Sequence, residues 1–393
     1  MKEKIKFNFL NITRNIFLLA IVSFLNDLSS EMIMPIIPSY LITILGTSKI
    51  LSGSIMGVIE ALSSLFKVLF GYISDKFKKR KLFIMLGYGI STASKALLAF
   101  SHFWWDFLGL RALDRIGKGI RTAPRDALIA ISTKSNKTGT AFGFHRMLDT
   151  FGAILGPLIT ILFLEHLKNY PLEKVYRILF LISSIPGIIA ILVIYFFVKD
   201  SQGIVKKTIK NISALRDSNL ILFFIVIAIA SLGRYSYAFT IWKLQELGYS
   251  TLQLIGFYAF FNFIYAFSSY PFGIYSDKIG KKYIIILGFL ISTFASLMFS
   301  KAKGITTLVI GFILYGFYLA IEDTVPRAYL ADIAKNFEKA TVIGAYHTIF
   351  GIFVFPASLI CGWLWQTIGI DYAFLYAAIM SSLAMFLMLF VKK

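Results

Sequence analysis

Hydrophobic residues fill long stretches of this chain, and polar residues collect between them. Residues 178–198, 247–276 and 372–391 contain no charged side chain. About 20 apolar residues are enough for a helix to cross a bilayer, and a spanning segment must pair its own backbone groups in lipid. The pattern therefore predicts an all-α membrane protein with twelve transmembrane helices, near residues 15–44, 48–74, 82–101, 104–131, 138–166, 173–198, 218–245, 250–276, 282–301, 304–331, 338–367 and 370–391.

The sequence repeats itself about halfway along. Gly71 and Asp75 return 202 positions later as Gly273 and Asp277, in similar surroundings. Such a repeat in so apolar a chain indicates two similar helical bundles. We predict pseudo-symmetric six-helix bundles over 1–198 and 218–393, joined by the polar linker 199–217.

The net charge of +20 is unevenly distributed. Most lysines and arginines fall in alternate connections, as the positive-inside rule requires of cytoplasmic segments. Both termini are therefore expected in the cytoplasm of a multi-pass cell-membrane protein, and the charge does not indicate nucleic-acid binding. The single cysteine, Cys361, cannot form an intramolecular disulfide.

The repeated Gly-x-x-x-Asp-Lys pattern, placed between spans two and three and again between spans eight and nine, resembles the loop signature of the major facilitator superfamily. The second copy keeps the family's glycine as Gly280, whereas the first copy has Lys78. The resemblance implies two bundles that alternate access to a central site in a working monomer.

Two further patterns extend the resemblance. Arg111, followed by Gly117 and Gly119, is similar to the span-four arginine motif of the superfamily. Span five resembles the antiporter motif of drug–proton exporters, although Thr160 and Ile161 replace its closing glycines. This motif implies efflux, but its glycines also suit helix packing alone; they are Gly143, Gly152 and Gly156, followed by Pro157.

The repeated aspartates predict a gating motif with Gly71 and Gly273. We expect Asp75 to meet the helix start at 337–341, and Asp277 to meet the start at 138–140, because carboxylates favour helix N-termini. These contacts would close the inner side; the alternative is that both carboxylates are solvated loop charges. A second inner gate is expected where Arg121 opposes the acidic pair of span ten, Glu322 and Asp323.

Four ionisable residues inside the spans are candidates for proton coupling. Charged groups in the membrane are costly and usually face the protein interior. Asp27 and Glu31 share a helix face, and His145 and Asp149 are also four residues apart. The alternatives are structural ion pairs for the carboxylates and a structural hydrogen bond for His145.

The remaining polar residues within the spans are candidates to line a substrate cavity. Span four carries a basic stripe, formed by Arg111, Arg115 and Lys118, that must face acids, water or an anionic ligand. The alternative is complete internal neutralisation. The candidates are Asn26, Arg111, Asp114, Arg115, Arg234, Tyr235 and Tyr237.

No phosphate-binding loop, zinc-protease motif or nucleophile-elbow motif is present in the sequence. We therefore predict no enzyme activity, cofactor or metal, and a gradient as the energy source. The expected function is secondary active transport, with proton-coupled efflux of a small solute preferred. The alternative is proton-coupled uptake of a small, possibly anionic, solute. The expected partners are this solute, protons and membrane lipid.

Overall fold

The computed structural model describes residues 12–48, 66–134, 136–200, 217–249, 251–335 and 338–392. Within these ranges the chain is mainly helical and contains no β-strand. Nine helical segments there are long and apolar enough to cross a membrane. Most of the predicted span 48–74 and of the linker 199–217 lies outside the described residues.

The helices of the first half follow the predicted spans closely. Residues 66–77 form α3, the described end of the second span. The other helices are α1 (Arg14–Ile33), α2 (Ile37–Ser39), α4 (Arg80–Leu97), α5 (Trp104–Ser132), α6 (Thr138–His166) and α7 (Leu172–Phe197).

Two of the predicted spans in the second half, 218–245 and 304–331, each consist of two consecutive helices. These helices are α8 (Ser218–Leu232), α9 (Tyr237–Glu246), α10 (Thr251–Ile279), α11 (Lys281–Ser300), α12 (Ile305–Glu322), α13 (Val325–Ile333), α14 (Lys339–Thr367) and α15 (Ile370–Met388).

Helix breaks occur at particular prolines and at one glycine. Span one breaks around Pro35 and continues as a π-helical turn, Tyr40–Ile44, because proline removes a backbone donor. Span seven is interrupted: α8 ends with Gly233 as its C-cap, and Ser236 caps α9 by accepting a hydrogen bond from the Ala238 N–H. By contrast, Pro186 lies inside the continuous helix α7.

The chain forms two compact units, and each contains a short segment from the opposite half of the sequence. Among the described residues, the first unit holds 12–134, 148–200 and 338–344. The second holds 136–147, 217–335 and 345–392. The first turns of α6 therefore belong to the second unit, and the first turns of α14 belong to the first.

Aromatic side chains form part of the interior of each unit. In the first, the rings of Tyr40 and Phe180 meet edge to face, 5.0 Å apart. In the second, Tyr235 stacks on Tyr315 at 5.3 Å and meets Phe374 edge to face. Such ring pairs add to the packing energy of buried surface. Tyr235, a cavity candidate, is therefore part of this core, with 3% of its surface exposed.

Candidate functional site

Asp75 lies at the end of α3 and is bound to the start of α14, within the first unit. Its carboxylate accepts hydrogen bonds from the Thr341 backbone N–H and hydroxyl, both at 2.8 Å. Arg80 forms an ion pair with it at 2.5 Å. The first N–H groups of a helix lack intrahelical acceptors and carry partial positive charge. The predicted contact is confirmed.

Asp277 repeats this arrangement in the second unit. Its carboxylate accepts hydrogen bonds from the backbone N–H groups of Gly139, at 2.9 Å, and Thr140, at 2.7 Å. Lys281 pairs with it at 2.9 Å. This predicted contact is also confirmed, so both copies of the motif bind a helix N-terminus.

The motif glycines allow these helices to approach closely. A Cβ atom on Gly71 would lie 2.4 Å from the carbonyl oxygen of Ala340. A Cβ atom on Gly273 would lie 2.2 Å from the carbonyl oxygen of Gly139. Neither distance is compatible with an unshifted backbone, so each glycine is required where it stands.

The span-five glycines likewise face neighbouring backbone. In the second unit, a Cβ atom on Gly143 would lie 2.5 Å from the Ser269 carbonyl oxygen. In the first unit, a Cβ atom on Gly152 would lie 2.4 Å from the Phe24 carbonyl oxygen, and one on Gly156 would lie 2.8 Å from the Glu31 Cβ atom. Pro157 lies inside α6. These three glycines therefore form a glycine seam along α6 that allows close helix packing. The link of this seam to efflux remains a prediction.

Part of the basic stripe on α5 is neutralised within its own helix. Arg111 pairs with Asp114 at 2.9 Å, and only 1% of the Arg111 surface is exposed. Arg125, which lies beyond the stripe on the same helix, pairs with Asp126, also at 2.9 Å. For these two arginines, internal neutralisation explains how the charge is accommodated.

Two other cations of the first unit, Lys95 and Arg121, are held mainly by neutral groups, although Lys95 also interacts electrostatically with Asp114 and Asp27. Lys95 is fully buried, and its ammonium donates hydrogen bonds to the hydroxyls of Ser29 at 2.6 Å and Ser30 at 3.2 Å. Arg121 donates to the Ser91 hydroxyl at 2.8 Å. The Arg121 guanidinium also lies 4.3 Å from the ring centroid of Tyr88, a cation–π contact.

Lys95 was missed by the sequence analysis, although the signal was present. It is the one charged residue between positions 82 and 101. An ionisable side chain in such a segment indicates a functional position by default. Its hydroxyl partners could not be identified from spacing alone.

The acidic candidates of span one are partly exposed. Asp27 accepts a long hydrogen bond, 3.4 Å, from the amide of the buried Asn26. Glu31 makes no hydrogen bond or ion pair with the described residues. It interacts electrostatically with several neighbours, namely Lys118, Arg115, Arg111 and Asp149.

The other proton-coupling candidates lie in α6. His145 is fully buried, and 4% of the Asp149 surface is exposed. Neither residue reaches bulk solvent to any extent, so a coupling function for either requires a proton path through the protein interior.

Arg234 lies in the break between α8 and α9 and binds the end of α12. It pairs with Glu322 at 2.6 Å, and the hydroxyl of Tyr318 donates to the same carboxylate at 2.7 Å. Tyr237, at the start of α9, is 48% exposed and contacts the ring of Tyr258. The break thus places a cation beside the acidic end of span ten.

Asp323 belongs to a separate cluster in the second unit. It pairs with Arg146 at 2.8 Å, and Tyr265 contacts both of these side chains. Arg121, Glu322 and Asp323 each bind other partners in this structure. The second inner gate therefore stays a prediction for a different conformation of the protein. The contacts of Arg146 and Tyr265 with Asp323 were not predicted from the sequence, because Asp323 is distant from both in the chain.

No cluster of three or more metal-ligating side chains occurs within the described ranges. Cys361 is fully buried in the second unit. The chemistry of the described site therefore rests on carboxylates, cations, hydroxyls and tyrosines.

Comparison with known proteins identifies relatives along the whole chain. A family model described as Major Facilitator Superfamily matches residues 19–267 and 223–393. An uncharacterized MFS-type transporter of Methanocaldococcus jannaschii is 38% identical over 391 residues, covering 97% of this chain and 95% of its own length. Multidrug resistance protein MdtG of Rahnella sp. is 28% identical over 222 residues, covering 54% of this chain and 52% of its own.

Similar folds occur among solved structures. The MFS proton:xylose symporter XylE, bound to 6-bromo-6-deoxy-D-glucose, superposes with a TM-score of 0.74. The sequences are 17% identical, and the match covers 96% of each chain. At this identity the likeness concerns the fold alone.

Proposed function

Because this chain belongs to the major facilitator superfamily and is a multi-pass membrane transporter, we propose that it exports a small solute in exchange for protons. It acts as a monomer in the cell membrane and alternates access between the two sides. It is a transporter rather than an enzyme.

The observation that carries this proposal is the duplicated contact between a carboxylate and a helix N-terminus. Asp75 binds the start of α14, and Asp277 binds the start of α6. Each contact rests on a few hydrogen bonds and one ion pair, so it can break and reform as a unit during a conformational change. We interpret the pair as the cytoplasmic gate of the transport cycle.

The acids of span one support proton coupling. Asp27 and Glu31 are partly exposed, and Glu31 has no ion pair within the described part of the chain. A carboxylate in a membrane helix is costly to keep charged. One without a fixed cationic partner is well placed to gain and lose a proton during the cycle.

Two observations support export. The glycine seam of α6 resembles the motif of drug–proton exporters, and a relative over about half the chain is named a multidrug resistance protein. The seam lets α6 pack tightly at Gly143, Gly152 and Gly156. Neither observation identifies the solute.

A second candidate is proton-coupled uptake of an anion, and a specific feature favours it. Lys118 is partly exposed and has no ion pair among the described residues, while Glu31 interacts with it electrostatically. A cation that can receive an anion beside an acid that can receive a proton suits joint transport of the two.

Everted membrane vesicles test the direction of transport. Three fluorescent dyes would be offered, one cationic, one neutral and one anionic, with an acidic lumen. An exporter accumulates its substrate under these conditions, and a proton ionophore abolishes the signal. Accumulation in right-side-out vesicles instead, driven by protons entering with the dye, would establish uptake.

Asp27→Asn gives the matched test of coupling. We expect normal amounts of folded protein but no proton-driven accumulation. Wild-type accumulation by this variant under a proton gradient alone would remove Asp27 from the mechanism.

A further inference from the structure

We propose that Lys95 carries the exchanged proton, and that the exported solute is a cation. The inference rests on the proposed exchange and deepens it, because it names a coupling residue and a substrate class for the same transport cycle. Lys95 was not among the residues selected from the sequence.

Lys95 is a buried ammonium whose hydrogen-bond partners are neutral. None of its surface is exposed, and its nitrogen donates to the hydroxyls of Ser29 at 2.6 Å and Ser30 at 3.2 Å. Both serines lie on α1. Within the described part of the chain, Lys95 forms hydrogen bonds with these hydroxyls and no ion pair with a carboxylate. Two hydrogen bonds thus connect α4 to the acidic segment of α1.

Serine hydroxyls suit a group that gains and loses a proton. A hydroxyl accepts a hydrogen bond from an ammonium, and it can rotate to donate one to a neutral amine. Lys95 can therefore lose its proton without leaving a buried polar atom unpaired, which would be costly. A carboxylate partner would instead hold the proton in place, because separating a buried ion pair leaves an isolated charge.

The Ser30 hydroxyl connects the buried nitrogen with the partly exposed face of α1. Ser30 is itself partly exposed, and so is Asp27, which lies three residues earlier on the same helix face. In the release step an N–H bond of the ammonium breaks, and the nitrogen keeps the electron pair. The proton passes along the Ser30 hydroxyl to water or to the Asp27 carboxylate.

The helices around Lys95 present charges of both signs. From α5, Asp114 attracts the ammonium, whereas Arg111 and Arg121 repel it; from α1, Asp27 attracts it. Asp114 is also paired with Arg111 at 2.9 Å. Two attractive groups and two repulsive groups offset one another, so an additional charge nearby can shift the balance.

Hydrogen bonds between helices place this part of α4 against α5. Ser91, one turn before Lys95, donates to the backbone carbonyl of Asp114 at 3.0 Å and accepts from Arg121 at 2.8 Å. The third neighbouring helix, α7, has no charged residue after Arg177, which binds the Ser101 carbonyl beyond the end of α4. The charges that act on Lys95 therefore come from α1 and α5 within the described residues.

A cation bound at the acidic face of α1 and the proton on Lys95 oppose each other. Asp27 would attract a cationic solute, and it also attracts the Lys95 ammonium. Two positive charges in a region of low dielectric constant repel each other more strongly than in water. Binding of one therefore favours loss of the other, and this linkage is reciprocal. Exchange requires this sign, so the inference agrees with the proposed export.

Everted vesicles and the cationic dye ethidium test the inference with two measurements. The first is accumulation of ethidium driven by an acidic lumen. The second is exchange of internal for external ethidium at equal pH on both sides, which requires only the dye-loaded protein to change its conformation. We expect the wild type to perform both.

Lys95→Arg and Lys95→Gln fix the two states of the group. Arginine stays protonated in proteins, and glutamine is neutral but still forms hydrogen bonds with hydroxyls. We expect neither variant to accumulate ethidium in response to a proton gradient. In exchange at equal pH, Lys95→Gln should perform as the wild type does, without pH dependence, whereas Lys95→Arg should need about tenfold more ethidium for half-saturation.

A merely structural hydrogen bond predicts the opposite order. Arginine, which keeps the charge and the donors, would then be the milder substitution in both measurements. Lys303→Gln replaces an exposed lysine between α11 and α12 and serves as the control. It should accumulate and exchange ethidium as the wild type does.

The inference is overturned if a folded Lys95 variant accumulates ethidium like the wild type, or if Lys95→Arg exchanges it better than Lys95→Gln. Should Lys95→Arg fail to fold, proton-driven accumulation or pH-dependent exchange by Lys95→Gln contradicts it equally. Accumulation of the neutral or anionic dye without ethidium would reject the inference and leave the proposed export standing. Failure of the proposed export would appear in the wild type itself, as accumulation of none of the three dyes.

Discussion

At the scale of single residues, the two gate carboxylates occupy equivalent positions but are neutralised differently. Asp75 has Arg80 as its cation, and this arginine has 4% of its side chain exposed. The partner of Asp277 is Lys281, which also pairs with Asp332 at 2.7 Å. Loss of the first carboxylate therefore removes an ion pair of a buried arginine, whereas Lys281 keeps its ion pair with Asp332 after loss of the second.

Asp75→Asn is accordingly expected to be the more damaging substitution. Loss of the buried ion pair between Arg80 and Asp75 should cost about 3 kcal/mol of stability, while Asp277→Asn should cost about 1 kcal/mol through a weakened hydrogen bond. Thermal unfolding of the two purified variants measures the difference. Equal losses of stability would show that burial of the ion pair with Arg80 does not make Asp75 the more important of the two carboxylates.

Asp200 provides a pH-dependent test outside the membrane-spanning helices. Burial raises the pKa of its carboxyl, although the nearby hydrogen bond from the Lys81 N–H opposes the shift. A raised pKa means that the fold favours the protonated form, so the stability contributed by this group is lost as pH rises.

Asp200→Asn should therefore raise the unfolding temperature at neutral pH. The difference from wild type should shrink as pH falls toward about 4, where the ordinary aspartate carboxyl becomes protonated. An unfolding-temperature difference that is constant across this pH range would contradict the assignment of the effect to Asp200.

At the scale of helices, close approach depends on glycines whose neighbours are backbone atoms. Gly71 faces the Ala340 carbonyl and Gly273 faces that of Gly139. Gly89, inside α4, has no atom within 4 Å of an added Cβ atom. All three glycines lie in helices. Gly71 and Gly273 each face a backbone carbonyl, whereas Gly89 faces open space and therefore serves as the control.

Gly71→Ala and Gly273→Ala should each reduce transport and stability, because the facing helix must move away. Gly89→Ala should stabilise the protein by about 0.5–1 kcal/mol, the helix-propensity gain of alanine over glycine. Unfolding temperature and vesicle transport measure both effects. Tolerance of alanine at Gly71 with full transport would argue against a tight gate.

The sequence predicted the helices well, because long apolar stretches leave few alternatives in lipid. It also predicted the Asp75 and Asp277 contacts, since the repeat placed both carboxylates at helix ends. It did not predict the break at 233–236. Hydropathy remains high through this region, and the break depends on the Ser236 cap and on the Arg234–Glu322 ion pair.

The partners of buried charges were the least predictable feature of the site. Lys95 and Arg121 are bound by hydroxyls and a ring. Helical spacing shows which side chains share a face, but it does not show what the facing helix presents. Which cations of α5 pair with a carboxylate thus required the three-dimensional arrangement.

At the scale of the whole molecule, the basic residues predict one orientation in the membrane, with both termini inside. Cys361 is fully buried, so the wild type provides a low background for thiol labelling. Lys168, after α6, and Lys278, at the end of α10, are both exposed and are expected on opposite sides of the membrane.

Lys168→Cys should therefore react with a membrane-impermeant maleimide in intact cells. Lys278→Cys should react only after the membrane is permeabilised. The reverse labelling pattern would invert the predicted orientation, and with it the assignment of the aspartate gates to the cytoplasmic side.

The first turns of α14, which belong to the first unit, have a consequence for how the protein is made. Asp75 is bound by Thr341, 266 residues later in the chain, and residues 338–344 belong to the first unit. During translation the first unit must wait in the membrane with this carboxylate uncovered until the chain has been synthesised beyond Thr341. Its final docking is a late event in biogenesis, and a message truncated before the codon for Thr341 should yield a first unit that cells degrade.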